Sequence, residues 1–240
     1  MTTQPFTTQP FTAAATNRMV IAIDVDGTLY EDSMVAPEAI EALSWATAQG
    51  HLVLIVTGRR WLSLFDVIPD VVALCAGAVC ENGGVLVQLA PVRTTLLTRP
   101  VSDVLVAGLL QAGVDSLDIG DVALGAPTEH APLAAQVLAR VGGDEVIVQN
   151  KGSIMLLPPG CDKGTGLRAA LVTMGLTGSP IIAIGDAAND LPMFAIATHP
   201  VGVANADAVV RASGVPLTAG IAGLGVAEAL RRLLPGPPAL

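Results

Sequence analysis

Two aspartates at alternate positions directly follow an apolar stretch near the start of the chain. The stretch is Val20–Ile23, and the run Asp24-Val25-Asp26-Gly27-Thr28 comes next. Side chains alternate along a strand, so Asp24 and Asp26 would share one face, and Gly27 lets the backbone turn directly after them. Two acids this close need a positive partner. Mg²⁺, bound through oxygen atoms beside a substrate phosphate, is the natural one; for the pair alone, an Asx-turn that closes a strand is the alternative.

Three further polar clusters follow other apolar stretches or begin predicted helices. They are Thr57-Gly58-Arg59, Lys163-Gly164 and Gly185-Asp186-Ala187-Ala188-Asn189-Asp190. Lysine is rare in this chain, which has only Lys151 and Lys163, so a lysine here weakly indicates a need for a compact ammonium group. Taken singly, Thr57 could be a helix N-cap, Lys163 a solvated lysine in a first helical turn, and Asp186 and Asp190 first-turn acids favoured by the helix dipole.

The elements that must position these clusters alternate between strands and helices. A helix predicted from Pro37 to about Gly50 separates two apolar strands, and a third strand is predicted at 76–80. A second block has a helix at 163–174, strands at 181–184 and 201–204, a further helix opening at 185–190 and a closing helix at 225–234. If that further helix starts at Asp186, the spacing predicts that Asp186 and Asp190 share one of its faces. Nearly continuous apolar strands flanked by helices indicate an α/β fold, with a Rossmann-like three-layer core around a parallel sheet.

A segment with a different pattern of predicted strands and helices separates the two blocks. Strands are predicted near 85–89, 116–119, 146–149 and 154–157, and helices near 101–111 and 132–141, which indicates a small α+β insertion. We therefore expect a disordered leader at 1–18, which carries a repeated Thr-Thr-Gln-Pro-Phe. The core would comprise 19–84 and 160–240, and the insertion 85–159.

Composition excludes several classes of protein. The net charge of −9 and an aromatic content of 3% argue against nucleic acid as a partner. The chain is 52% apolar, but no uninterrupted apolar stretch reaches the roughly 18 residues of a membrane span. Three cysteines without Cys-x-x-Cys spacing are expected to be small core residues in a reducing cytoplasm. A cytoplasmic protein is the prediction, either a monomer or a homodimer.

The four clusters, in this order, resemble the motifs of the haloacid dehalogenase-like hydrolase superfamily. The resemblance spans about residues 19–234. The insertion between the second and third motifs resembles the α/β cap of the Cof-type, or type IIB, branch, as do Glu81-Asn82-Gly83 and the run Asn189-Asp190-Leu191-Pro192-Met193. Within that branch the short cap looks most like that of archaeal-type phosphoglycolate phosphatases, with sucrose-phosphate phosphatases also similar.

The resemblance implies a Mg²⁺-dependent phosphatase that acts on a small phosphorylated metabolite, phosphoglycolate or a sugar phosphate. Asp24 would attack phosphorus and form an aspartyl-phosphate, and Asp26 would exchange protons with the leaving group and with water. Thr57 and Lys163 would bind the phosphoryl oxygens. Mg²⁺ would be held by Asp24, the backbone carbonyl of Asp26, Asp186 and Asp190. A phosphosugar mutase and a non-catalytic metabolite-binding module remain the alternatives.

Substrate contacts are expected from the cap and from the motifs. Gly58 and Asn189 are the further candidates in the core, and Lys151 and Ser153 are the best candidates in the cap because Gly152 permits a tight turn. Weaker cap candidates are Arg93, Glu129, His130 and Asn150. The segment 85–159 has four cationic residues and seven acids, so a strongly polyanionic leaving group is disfavoured.

Overall fold

The structure, a computed structural model, describes residues 18–150, 152–234 and 236, and for Asn150 the backbone only. The predicted leader, apart from Arg18, and the candidate Lys151 lie outside the described residues. Within the described part of the chain, no helix is long and apolar enough to cross a membrane.

The described residues form strands and helices that alternate along most of the chain. The strands are β1 Val20–Ile23, β2 Tyr30–Glu31, β3 Met34–Val35, β4 Leu52–Val56, β5 Gly77–Cys80, β6 Val85–Leu89, β7 Val92–Leu96, β8 Asp118–Ile119, β9 Leu124–Pro127, β10 Val146–Asn150, β11 Ser153–Leu157, β12 Ile181–Gly185 and β13 His199–Gly202. The α-helices are α1 Pro37–Ala48, α2 Leu64–Val67, α3 Pro69–Val72, α4 Asp103–Gln111, α5 Ala131–Val141, α6 Lys163–Thr173, α7 Leu191–Phe194, α8 Ala208–Ala212 and α9 Ala222–Leu233.

A seven-stranded sheet with the order β13-β12-β1-β4-β5-β6-β7 forms the core. Its first five strands are parallel, and β6 and β7 are antiparallel additions. The chain runs outward from β1 to β4 and β5, and later returns to β12 on the other side of β1. In open parallel sheets, ligands bind at the carboxyl ends of the strands where the order reverses in this way. The fold therefore places its switch point between the ends of β1 and β12.

Strand β1 shows why helices must cover both faces of this sheet. All four of its residues are buried; Ile21 and Ile23 join one apolar cluster, whereas Val20 and Ala22 join the other. Helices α1, α3 and α9 pack in the first cluster, and α6, α7 and α8 in the second. The predicted α/β core with a three-layer arrangement is confirmed.

Helix α6 begins with a capping box and lies unusually close to its neighbours. The Asp162 side chain accepts a hydrogen bond from the Thr165 amide at 2.7 Å, and the Thr165 hydroxyl oxygen accepts one from the Asp162 amide at 3.1 Å. A Cβ atom on Gly164 would lie 2.3 Å from the Pro192 carbonyl oxygen, so only glycine permits this approach to α7. Close packing of the first turn buries Lys163, whose exposed fraction is 1%.

The insertion has its own sheet, but this sheet begins later than predicted. Four antiparallel strands in the order β10-β11-β9-β8 pack against α4 and α5. Strand β6 was expected in the insertion; instead it pairs with β5 and β7 in the core sheet, which differs from the predicted boundary at residue 85. Arg93 consequently lies on the exposed edge strand of the core. Strand β9 was not predicted, because Leu-Gly-Ala-Pro has low strand propensity.

Glu81 joins the insertion to the core. Its buried carboxylate accepts hydrogen bonds from the backbone amides of Asp121, Val122 and Ala123 at 3.0, 2.8 and 2.9 Å. Val122 and Ala123 are themselves buried in a core cluster. We name residues 120–123 the anchor loop. Because a buried carboxylate is costly without donors, this contact is expected to hold the base of the insertion firmly.

Gly120→Ala is expected to loosen that anchor. The added Cβ would lie 2.4 Å from Glu81 Oε2 and 2.9 Å from the Ala123 carbonyl oxygen, and neither atom is free to move away. We expect the free energy of unfolding, measured with urea, to fall by about 1–3 kcal/mol. Gly125→Ala is the matched control, since its Cβ would meet nothing closer than 3.5 Å. Equal losses in the two variants would contradict the assignment.

Candidate active site

Lys163 is the centre of a buried ionic cluster at the carboxyl edge of the parallel strands. Its Nζ lies 2.6 Å from Asp24 Oδ1 and 2.6 Å from Asp190 Oδ1. Asp24 and Asp190 are 5% and 0% exposed. Burial alone would lower the pKa of Lys163, but the carboxylates of Asp190 and Asp24 outweigh it and raise that pKa above its ordinary value. The two carboxylates therefore favour the charged form of Lys163.

Asp186 and Asp190 reach the cluster from different local structures. Asp186 follows β12, and its Oδ1 accepts a hydrogen bond from the Thr28 hydroxyl at 2.9 Å. Asp190 ends a short 3-10 turn, and its Oδ2 accepts from the amides of Asp186 and Ala187 at 2.8 and 2.9 Å. The prediction that the two acids share one face of a helix was wrong, because the regular helix α7 begins only at Leu191. The Asp190 side chain instead bonds back to the amides directly before its own turn.

The three acids provide a set of oxygen atoms suited to a hard cation. One carboxylate oxygen from each of Asp24, Asp186 and Asp190 lies within 4.8 Å of the others, and all three residues are buried. Three ionised carboxylates against the single ammonium of Lys163 would leave two negative charges. Burial and then the charge of Asp190 raise the pKa of Asp24 well above its ordinary value, despite the opposing effect of Lys163. A divalent cation would balance this charge, and the three carboxylates fit such an ion.

Asp26 is oriented by Arg59. The Arg59 Nη2 atom lies 2.6 Å from Asp26 Oδ1, and Nε lies 2.8 Å from Oδ2 and 3.1 Å from Oδ1. The guanidinium also lies over the ring of Tyr30, 5.8 Å from its centroid. A fork of this kind fixes both the position and the plane of a carboxylate. Asp26 differs from Asp24 in that its side chain is 38% exposed.

Thr57 follows β4 and is fully buried. Its hydroxyl oxygen accepts a hydrogen bond from the Arg59 amide at 3.1 Å, which tightens the loop that carries Gly58 and Arg59. The same loop is bonded to the turn after β5, since the Glu81 amide donates to the Arg59 carbonyl at 3.0 Å and the Asn82 amide to that of Thr57 at 2.9 Å. Thr57 thus closes the turn at the end of β4, and it does not itself line the cavity above the acidic cluster.

A cavity of about 560 Å³ opens above the cluster, between the core and the insertion. Asp24, Asp26 and Gly58 line it from below, and Ser153 lines it from the insertion. The Met155 side chain lies over Gly58 of the second motif. A Cβ atom added to Gly58 would be 3.2 Å from Met155 Sδ. The structure thus brings together the predicted Asp24, Asp26, Gly58 and Ser153 around one open space.

Other predicted residues lie elsewhere. Asn189 donates from Nδ2 to Asn82 Oδ1 at 3.2 Å and is not part of the cavity wall. Arg93, Glu129 and His130 do not line the cavity either, and the side chain of Asn150 is outside the described residues.

Sequence reasoning missed several residues of the cavity wall. They are Tyr30, Glu31, Asp32, Arg59, Arg60, Glu81, Asp118 and Met155. Arg59 belongs to the motif Thr57-Gly58-Arg59 and Glu81 to the run Glu81-Asn82-Gly83, so both could have been proposed as site residues from the sequence. Glu31 and Asp32 are on the β2–β3 hairpin, whose two-residue turn has φ of 50° at Asp32 and 63° at Ser33. An Asp-Ser turn of this type is a recognisable but weak hairpin signal.

An acidic site at the carboxyl edge of a parallel sheet, covered by an inserted α+β unit, defines a Rossmann-like α/β protein with a cap. A family model described as haloacid dehalogenase-like hydrolase matches residues 21–113 and 122–230. The chain belongs to this family, and its enzymatic class is that of a phosphatase.

Two curated relatives are phosphatases of different substrates. A phosphoglycolate phosphatase of Methanothermobacter thermautotrophicus is 33% identical over 225 residues, which cover 89% of this chain and 98% of the relative. A 5-amino-6-(5-phospho-D-ribitylamino)uracil phosphatase of Escherichia coli is 26% identical over 239 residues, which cover 81% and 88% of the two chains.

Solved structures confirm the fold. A haloacid dehalogenase-like hydrolase from Bacteroides thetaiotaomicron has a TM-score of 0.77 at 20% identity, covering 91% of this chain and 100% of the other. A sugar phosphatase of HAD subclass IIB has a TM-score of 0.70 at 18% identity, covering 89% and 98%. The expected resemblance to the type IIB branch is confirmed.

Proposed function

We propose that this protein is a Mg²⁺-dependent phosphomonoesterase that hydrolyses phosphoglycolate or a similarly small phosphorylated metabolite through an aspartyl-phosphate. The observation that carries the proposal is the position of Lys163, which bonds both Asp24 and Asp190 at 2.6 Å beneath an open cavity. Names of the relatives support a small phosphate ester as the substrate. A cytoplasmic location and a monomeric or dimeric state stay predictions.

Asp24 is the proposed nucleophile. Its carboxylate oxygen forms a bond to phosphorus while the bond from phosphorus to the ester oxygen breaks. Lys163 stabilises the negative charge that the transferring group carries, and burial of both residues strengthens this interaction. The hydroxyl of Thr57 is the proposed donor to a phosphoryl oxygen.

Asp26 is the proposed general acid and base. In the first half of the reaction it gives a proton to the departing alkoxide, and in the second half it takes one from the water that attacks phosphorus. The bond from Asp24 to phosphorus then breaks, which returns both carboxylates to their starting states. Arg59 holds the Asp26 carboxyl group in one position and one plane for both proton transfers.

Asp24, Asp186, Asp190 and the backbone carbonyl of Asp26 are the proposed ligands of Mg²⁺. The cation would supply a positive charge that offsets the carboxylates and the phosphoryl oxygens. Both oxygens of Asp190 already accept hydrogen bonds from Lys163 and from backbone amides, so we expect Asp190 to bind the cation through water.

Purified protein is expected to release inorganic phosphate from 4-nitrophenyl phosphate and from 2-phosphoglycolate in the presence of Mg²⁺ and not after treatment with EDTA. Phosphorus NMR of a sugar monophosphate distinguishes the outcomes. Free phosphate indicates hydrolysis, whereas an isomerised ester indicates a mutase. Tight binding without turnover across a broad panel of esters would show a binding module and overturn the proposal.

A further inference from the structure

Cations are scarce in the wall of the cavity above the acidic cluster. Among the described residues that line it, only Arg59 and Arg60 carry a permanent positive charge. Arg59 is already engaged with Asp26, because it holds both carboxylate oxygens of that residue through three short contacts. Arg60 is therefore the one described cation of the wall that does not contact a proposed catalytic group.

Among the described residues, Arg60 makes a single ionic contact, and that contact crosses from the core to the insertion. Its Nη1 lies 2.8 Å from Asp118 Oδ1 on β8. The two side chains are 45% and 64% exposed. Exposed pairs of this kind stabilise a protein by only about 0–1 kcal/mol. A substrate carboxylate could replace Asp118 on the guanidinium at little cost, and the planar fork of arginine suits a carboxylate.

Asp118 is held in place by the sheet of the insertion. It pairs across the strands with Gly125, which in turn pairs with Met155, and all three residues line the cavity. The anchor loop begins two residues after Asp118, so the Glu81 contact limits its movement. Asp118 therefore lies opposite Arg60 as a fixed intramolecular competitor.

The remaining acids of the wall exclude other places for an anion. Glu31 and Asp32 are exposed on the β2–β3 hairpin. Glu81 is already satisfied by three backbone amides. Among the described residues of the wall, a negatively charged leaving group would be repelled near the hairpin and attracted near Arg60.

We infer that Arg60 determines specificity for substrates whose leaving group bears a carboxylate, and that Asp118 sets the affinity by competing for the same guanidinium. This inference rests on the proposed phosphatase function, and it assigns a separate task to a residue outside the four motifs. Phosphoryl transfer itself does not require Arg60, so its loss should affect KM and not kcat.

Two esters of nearly equal size test the assignment. One is 2-phosphoglycolate; the other is 2-hydroxyethyl phosphate, in which a neutral hydroxymethyl group replaces the carboxylate. For Arg60→Gln we expect KM to rise about tenfold for the carboxylate ester, since one charge-assisted hydrogen bond is lost. KM for the neutral ester is expected to change less than about twofold, and kcat should be unchanged for both.

Asp118→Asn provides a test of opposite sign. Removal of the competing charge is expected to lower KM for 2-phosphoglycolate by about two- to fivefold and to leave the neutral ester unaffected. A general loss of structure could not improve one substrate alone. Equal effects of Arg60→Gln on the two esters, or a higher KM for 2-phosphoglycolate in Asp118→Asn, would overturn the inference while leaving the phosphatase function intact. If the wild-type protein hydrolyses neither of the two esters, both this inference and the proposed hydrolysis of phosphoglycolate are overturned.

Discussion

Asp24→Asn is expected to reduce phosphate release by at least about 10³-fold and to prevent formation of a phosphoenzyme. An amide cannot attack phosphorus, although the Asn oxygen can still accept the hydrogen bond from Lys163. Intact-protein mass spectrometry after acid quench would show a phosphoryl adduct on the wild-type protein and none on the variant. Phosphate release at the wild-type rate would show that Asp24 is not the nucleophile.

The same substitution should not weaken the fold. Because burial and the charge of Asp190 raise the pKa of Asp24 in the folded state, its ionised form opposes folding at pH 7. That unfavourable contribution disappears as the pH falls through the raised pKa. We therefore expect the free energy of unfolding of Asp24→Asn, measured at pH 7 without divalent cations, to equal or exceed that of the wild-type protein.

Asp26→Asn is the matched variant for comparison. It is expected to retain phosphoenzyme formation with 4-nitrophenyl phosphate, whose leaving group needs no proton, and to lose activity toward alkyl esters. The adduct should accumulate, since the hydrolytic water loses its base. Similar behaviour of the two variants would contradict the separate roles of Asp24 and Asp26.

Lys163→Met is expected to damage both stability and activity. Methionine has a similar length but leaves Asp24 and Asp190 buried without their shared cation, which costs about 3–5 kcal/mol when one partner of a buried pair is removed. Turnover is expected to fall by about 10²-fold or more, because the phosphoryl group loses a charge partner. Urea unfolding and steady-state kinetics measure the two effects.

A second substitution separates the two contributions of Lys163. Adding Asp190→Asn to Lys163→Met removes one of the unpaired charges, so part of the lost stability should return. Activity should not return, since the ammonium group is still absent. Mg²⁺ is expected to stabilise Lys163→Met more than the wild-type protein. A wild-type free energy of unfolding for Lys163→Met alone would refute the buried ion pair.

Several residues at the floor of the candidate site could be singled out from the sequence because polar residues after continuous apolar runs are conspicuous. Asp24, Thr57 and Asp186 each directly follow a buried parallel strand, and such strands end at one edge of the sheet. Lys163 was less conspicuous, because taken singly it could have been a solvated lysine in a first helical turn, whereas Asp24, Thr57 and Asp186 stood out directly. These residues depend on local patterns, which a sequence displays directly.

The walls of the site were not predictable in the same way. Strand β6 has an apolar pattern that suits either sheet, and only its pairing with β5 decides between them. The contact of Glu81 with the anchor loop joins residues about 40 positions apart, and that of Arg60 with Asp118 joins residues 58 apart. Contacts over such separations depend on the tertiary arrangement and leave no local periodicity.

The Glu81 contact also limits how caps can be exchanged between relatives. The carboxylate belongs to the core, whereas the three amides that satisfy it belong to the anchor loop of the insertion. The turn that carries Glu81 is bonded in addition to the loop of Thr57. A chimaera that receives a foreign cap must therefore contain a loop with equivalent amide donors. Without them the Glu81 carboxylate would be buried with no hydrogen-bond donors, next to the loop that carries Thr57. The cap of this protein can therefore be exchanged only together with an anchor loop that satisfies Glu81.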